Sequence, residues 1–248
     1  MSRISEVSAE AAQQGRKLLI PYVVAVDPDL PTTLKLMHKL VADGADMIEL
    51  GVPFSDPSSD GPVIQRGVER AIAGGTNLAK VLDLVAEFRL QNSSTPIVLM
   101  GYLNPVEIMG YEAFATRASD VGVDGVLIVD MPPSESSGLR DLLKERRIDT
   151  IFLVAPTTTD TRCAQIVANC SGYLYYVSLK GVTGAALLDS ESVRLSIEKL
   201  RKMTDLPIVI GFGIKDAASA RTMGALSEGV IIGSALVERI EKLSPGDT

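Results

Sequence analysis

The chain contains no tryptophan, a single histidine and two cysteines among its 248 residues. His38, Cys163 and Cys170 cannot complete the four-ligand set of a structural zinc site, so no metal is expected. The two cysteines lie seven apart on one expected helical face and read as core thiols. His38, beside Lys39 on an outer helix, reads as a solvated bystander. Long apolar runs are also missing. None approaches the roughly 18 residues that a membrane helix requires. The stretch from Met1 to Arg16 lacks the apolar centre of a signal peptide and carries Glu6 and Glu10. It reads as mature protein, and the chain is expected to be cytoplasmic. Basic charge is in the minority, 24 Lys and Arg against 31 Asp and Glu, for a formal net charge of −7. That balance argues against nucleic acid or an anionic membrane as the main partner, because both need a basic face.

Several catalytic signatures are absent as well. No Gly-x-Ser-x-Gly elbow occurs, and no Gly-x-Gly-x-x-Gly follows the first strand-like run. No lysine lies inside such a run; Lys180 and Lys215 fall in loops. This disfavours a Schiff-base aldolase, which needs a lysine projecting from a strand.

What is present is a regular series of eight short apolar runs. They are Leu18 to Ala25, Met47 to Gly51, Ile97 to Met100, Gly125 to Val129, Thr150 to Val154, Tyr173 to Val177, Ile208 to Ile210 and Gly229 to Ile232. They lack in/out alternation, as parallel strands buried on both faces do. Helical spacing fills the gaps: Leu34, Met37, Leu40 and Val41 within Thr32 to Ala42; Leu78, Val81, Leu82, Val85 and Phe88 within Leu78 to Leu90; Leu195, Ile197 and Leu200 within Val193 to Met203. Eight β-α units in one chain of this length predict a (β/α)8 TIM barrel with an extra N-terminal helix, as a single domain over 1–248. An open doubly wound sheet is the alternative, and it rarely holds eight units so evenly spaced.

The active site of such a barrel lies at the C-terminal ends of its strands. Glu49 interrupts the second apolar run near that end, and Asp60 follows on the next loop. Burial is expected to raise the Glu49 pKa while solvation keeps Asp60 low, the division of labour of an acid–base pair. Glycines 184, 211, 213 and 233 allow close backbone approach, and Gly233-Ser234 opens into a helix from Ala235 to Ile240. A helix N-terminus at the loops after strands seven and eight is an anion site, so the substrate is expected to be a phosphate ester. Tyr22, Ile64, Met100, Tyr102, Leu127, Phe212 and Ile232 would surround an apolar group near the mouth. Core packing explains most of them singly, but Tyr102 and Phe212 fall past the strand ends and are expected to touch the ligand.

The segment Glu49-Leu50-Gly51-Val52-Pro53-Phe54-Ser55-Asp56-Pro57, with Asp60-Gly61-Pro62 and Gln65, resembles the signature of the tryptophan synthase α-subunit family. The resemblance continues through Tyr102-x-Asn104-Pro105, Asp130-x-Pro132, Tyr175, Gly181-Val182-Thr183-Gly184, Gly211-Phe212-Gly213-Ile214 and Gly233-Ser234, across essentially the whole chain. It implies a lyase of tryptophan biosynthesis that cleaves indole-3-glycerol phosphate to indole and glyceraldehyde 3-phosphate. It implies no cofactor in this chain and an α2β2 complex with a β subunit that uses pyridoxal phosphate. On the family's pattern Glu49 and Asp60 are catalytic, Tyr175 helps to position them, and Thr183 closes on Asp60. Gly184, Gly213, Gly233 and Ser234 match phosphate-binding positions, while Pro53, Asp56, Asn104, Asp130 and Pro132 resemble the face that meets β. The chain departs from the pattern at Val26, at Ser58-Ser59, at Leu179-Lys180 and at Tyr22, which adds a hydroxyl to the indole pocket. A mainly regulatory subunit that activates β while turning over slowly is the alternative reading.

Overall fold

The computed structural model describes residues 2–178, 190–211 and 213–243. Eight parallel strands close into a barrel in sequence order: β1 (Leu18–Val24), β2 (Ile48–Gly51), β3 (Ile97–Gly101), β4 (Gly125–Ile128), β5 (Asp149–Val154), β6 (Leu174–Val177), β7 (Ile208–Gly211) and β8 (Gly229–Ile232). β1 closes the ring on β8, with Leu18 opposite Gly229. All eight expected strands form, each within a residue of its expected ends.

The described helices are α1 (Arg3–Gln13), α2 (Leu30–Ala42), α3 (Pro62–Ala73), α4 (Leu78–Arg89), α5 (Leu103–Met109) and α6 (Tyr111–Asp120). They continue with α7 (Ser137–Glu145), α8 (Asp160–Asn169), α9 (Ser190–Leu200), α10 (Ala217–Gly224) and α11 (Ser234–Ile240). The extra N-terminal helix is α1. Its Ile4 is fully buried and fills the space left by Gly125, lying 3.0 Å from where a Cβ would be. Gly125 therefore lets α1 plug the lower end of the barrel. Ser2 caps α1 and also donates to Asp149 at 2.6 Å.

Acidic side chains fasten the lower rim by accepting from backbone N–H groups at strand starts. Asp46 accepts from Leu19 at 2.8 Å, Asp124 from Ile97 at 2.8 Å and Glu228 from Ile208 at 3.0 Å. Arg89 and Arg3 pair with the buried Asp124, each at 2.7 Å, so its charge is not stranded. Among the described helices, none is long and apolar enough to cross a membrane.

Three local readings need correction. In α9 the buried face is Val193, Ile197 and Leu200, so Ile197 and Leu200 are buried as expected, but Val193 takes the place of Leu195, which is 54% exposed. Cys170 lies beyond the end of α8 and is half-buried, so it does not share a helical face with the buried Cys163; both are free thiols. His38 is not solvated: its ring stacks on Phe88 with centroids 4.8 Å apart, and its Nε2 is shielded from solvent.

Candidate active site

Glu49 sits on β2, paired in register with Tyr22 of β1 and Val98 of β3. Both faces of a barrel strand are covered, so the carboxyl group is fully buried. Its Oε1 accepts from the Tyr173 hydroxyl at 3.4 Å, and its Oε2 has no partner. A carboxylate there would leave an ion in an apolar cavity. Burial accordingly raises the Glu49 pKa to about 8, with the Tyr173 hydrogen bond pulling weakly the other way. Glu49 is a protonated acid at neutral pH.

Asp60 lies on the loop that folds back from β2 before α3. Short turns shape that loop, with Ser58 N–H donating to the Asp56 carbonyl at 2.8 Å and Asp60 N–H to the Pro57 carbonyl at 3.0 Å. Gln65, one turn into α3, donates to the Asp60 carbonyl at 2.8 Å. The Tyr102 hydroxyl then joins the loop to the β3 tip. It donates to Asp60 Oδ2 at 3.0 Å and accepts from Ser59 N–H at 3.0 Å. Its ring also packs on Phe54, centroids 5.3 Å apart.

One expectation changes here. Asp60 is only partly exposed, and desolvation raises its pKa to about 6 rather than leaving it at an ordinary carboxylate value. Tyr102, expected to touch ligand, also holds the Asp60 loop, with 5% of its surface exposed. The pair is still graded, since at pH 7 Asp60 is mostly ionised and Glu49 mostly protonated.

Tyr22, Ile64, Met100, Leu127 and Tyr175 belong to one buried cluster inside the barrel, together with Tyr173 and Val209. Ile232 does not; it packs outside the barrel with Ile210 and Val230, because its side chain points to the helix layer. Tyr175 is buried, and its Oη lies 2.0 Å from where a Cβ on Gly211 would be. Gly211 is thus needed as a space for the tyrosine. Sequence reasoning missed Tyr173 as the partner of Glu49. The signal was the two-residue spacing from Tyr175, which puts both side chains on the inner face of one strand.

On the opposite rim Gly213 has φ +76°, a left-handed backbone that favours glycine. Gly233 precedes α11, and its carbonyl accepts from Leu236 and Val237. The first N–H groups of the helix, those of Ser234 and Ala235, have no intrahelical acceptor and no other acceptor among the described residues, the arrangement that suits an anion. Thr183, Gly184 and Phe212 lie outside the described residues. At the mouth Asp56 and Asn104 are exposed, Asp130 is exposed while its Oδ1 accepts from Leu103 N–H at 2.8 Å, and Pro132 is half-buried. Pro53 is buried within the chain itself. Ile108, on the same short helix as Asn104, is 80% exposed.

A closed parallel barrel with a buried acid on one strand and a loop carboxylate following it places the chain among the enzymes of the (β/α)8 class. The family model for the tryptophan synthase alpha chain matches residues 8–247. Tryptophan synthase alpha chains from Marinobacter nauticus and Nitrosococcus oceani are each 54% identical over 98% of this chain, covering 90% and 89% of their own lengths. The crystal structure of tryptophan synthase subunit alpha from Legionella pneumophila superposes with a TM-score of 0.90 at 39% identity, covering 98% of this chain and 90% of that one. Tryptophan synthase from M. tuberculosis gives a TM-score of 0.89 at 33% identity, over 98% of this chain and 93% of that one. The chain belongs to the tryptophan synthase alpha chain family.

Proposed function

We propose that Glu49 and Asp60 carry the family's reaction in this chain, the cleavage of indole-3-glycerol phosphate to indole and glyceraldehyde 3-phosphate. The observation that supports this most is the grading of the two carboxyl groups, about 8 and about 6, within one barrel mouth. Glu49 donates its proton to the ring carbon that bears the glyceryl chain. The positive charge appears on the ring N–H, where the ionised Asp60 stabilises it. The carbon–carbon bond then breaks, its electron pair restoring the indole ring. The adjacent glyceryl hydroxyl becomes the aldehyde and returns its proton to the Glu49 carboxylate. Acid and base are both regenerated, and no cofactor is required of this chain.

Gly213, Gly233 and Ser234, with Gly184, are assigned to the phosphate; Tyr22, Ile64, Leu127, Tyr175 and Phe212 to the remainder of the substrate, and Thr183 to closure over Asp60. Tyr102 is assigned both to the substrate and to holding Asp60. The chain is read as one domain over 1–248, working in the cytoplasm as part of an α2β2 complex whose β subunit carries pyridoxal phosphate. Asp56, Asn104, Asp130 and Pro132 would form the contact face, and the exposed Ile108 adds an apolar contact beside them.

The test is the release of glyceraldehyde 3-phosphate by the purified chain, with and without a β subunit. Activity that Glu49→Gln and Asp60→Asn both abolish is the expected result. A chain that only accelerates β, and does so equally well as Glu49→Gln, would make it a regulatory subunit instead.

A further inference from the structure

Tyr22 is a mouth residue whose polar atom the cleavage scheme leaves unused. It lies on β1 directly opposite Glu49 in register, so both side chains point into the barrel at one level. Two glycines make room for its ring. A Cβ on Gly233 would come within 3.3 Å of its Cδ1, and one on Gly51 within 2.2 Å of its Oη. The side chain therefore runs from the head of α11 to the tip of β2. The residue is 6% exposed, and its hydroxyl has no hydrogen-bond partner among the described residues and is not among the side-chain atoms sealed from solvent.

A hydroxyl that has no protein partner and is not sealed into the packing is free to meet a ligand at the barrel mouth. Its position says which part of the ligand. The ring touches Gly233 at the phosphate rim, and the hydroxyl ends two residues along β2 from Glu49. Between a phosphate at α11 and the bond broken at Glu49 lies the three-carbon chain of the substrate, which carries the two glyceryl hydroxyls. This step rests on the assignment of the site to indole-3-glycerol phosphate.

We propose that Tyr22 is a specificity-determining residue whose hydroxyl hydrogen-bonds the glyceryl hydroxyls of the bound substrate. Burial, and after it the facing Asp60 and Glu49, hold the Tyr22 hydroxyl well above its ordinary pKa, so it remains a donor throughout the working pH range. Tyr22→Phe deletes the hydroxyl and keeps the ring that fills the space beside Gly51 and Gly233. One lost hydrogen bond predicts a fall of about three- to tenfold in kcat/KM for indole-3-glycerol phosphate.

The discriminating probe is indole-3-propanol phosphate, which has the same ring, chain length and phosphate but neither hydroxyl. Its dissociation constant should be unchanged by Tyr22→Phe. The melting temperature should hold or rise, since the hydroxyl has no partner to lose. Equal weakening of substrate and analogue would overturn the proposal, as would unchanged kcat/KM, and so would a lowered melting temperature, which would mean that the hydroxyl serves the fold. If the wild-type chain binds the analogue but does not cleave the substrate, the lyase assignment fails and this role falls with it. If the wild type cleaves and only the selectivity is missing, the lyase assignment stands and the Tyr22 role alone fails.

Discussion

Replacing Glu49 with glutamine should abolish cleavage and, at neutral pH, stabilise the protein. The magnitude follows from the carboxyl group's two environments. In the unfolded chain it ionises near 4.5, and in the folded barrel near 8. Between those values the unfolded state has released a proton that the folded state retains. The stabilisation from the raised pKa is therefore complete below pH 4.5 and is lost as pH rises through 8. One proton corresponds to about 1.4 kcal/mol per pH unit, so the full loss is about 5 kcal/mol, of which about 3 kcal/mol has accrued by pH 7. Glutamine does not titrate. Its amide adds a constant offset, because Tyr173 can satisfy only one of its polar groups, but that offset does not vary with pH. Denaturant unfolding of both proteins at pH 5, 6, 7 and 8 reads the difference directly. The Glu49→Gln protein should gain on the wild type by about 2–3 kcal/mol between pH 5 and 7. Two stability curves that run parallel over this range would refute the reasoning, since they would mean that Glu49 is already ionised in the folded protein.

The same two groups predict a bell-shaped profile of kcat/KM against pH. Activity should rise through about pH 6 as Asp60 ionises and fall through about pH 8 as Glu49 loses its proton; a flat profile from pH 5 to 9 would contradict both roles. Tyr102→Phe removes the hydroxyl that lowers the Asp60 pKa, so the acid limb should move to higher pH while the alkaline limb stays in place. Asp60→Asn should lose cleavage without losing melting temperature, because its folded-state pKa is raised and ionisation there does not support the fold; a fall of several degrees would show a structural role. Val26→Gly should change unfolding free energy by less than about 1 kcal/mol. Val26 has φ +63°, and the strain of a β-branched residue there, about 1–3 kcal/mol, offsets the comparable burial that the side chain provides.

Much of this protein is written in short-range pattern. The eight strands show themselves because residues buried on both faces must be apolar in unbroken runs, and a run is a local property. The barrel follows from their number and spacing. Glu49 and Asp60 stand out for a related reason: a carboxylate within such a run, and another on the loop that leaves it, are anomalies visible without any fold. Gly211, Gly213 and Gly233 are legible as close-approach positions, although which atom approaches each is not.

Tertiary structure decided everything that depends on distant partners. Tyr173 is 124 positions from Glu49, and only closure of the barrel brings its hydroxyl to that carboxyl group. Asp60 was expected to be solvated because loops usually are, but the loop is held under cover through Tyr102, 42 residues away, and desolvation raises the Asp60 pKa while the tyrosine's hydrogen bond offsets part of the rise. Leu195 and His38 show the same limit at the surface. An apolar or ionisable residue on a helix has its exposure set by what packs beside it: Phe88 stacks on His38, whereas Leu195 is left 54% exposed. Residue type and spacing thus determined the barrel and marked out its two carboxyl groups. Their proton affinities, and the placing of the Tyr22 hydroxyl over Gly51, were decided by desolvation and contact, which depend on chain segments that meet only when the ring closes.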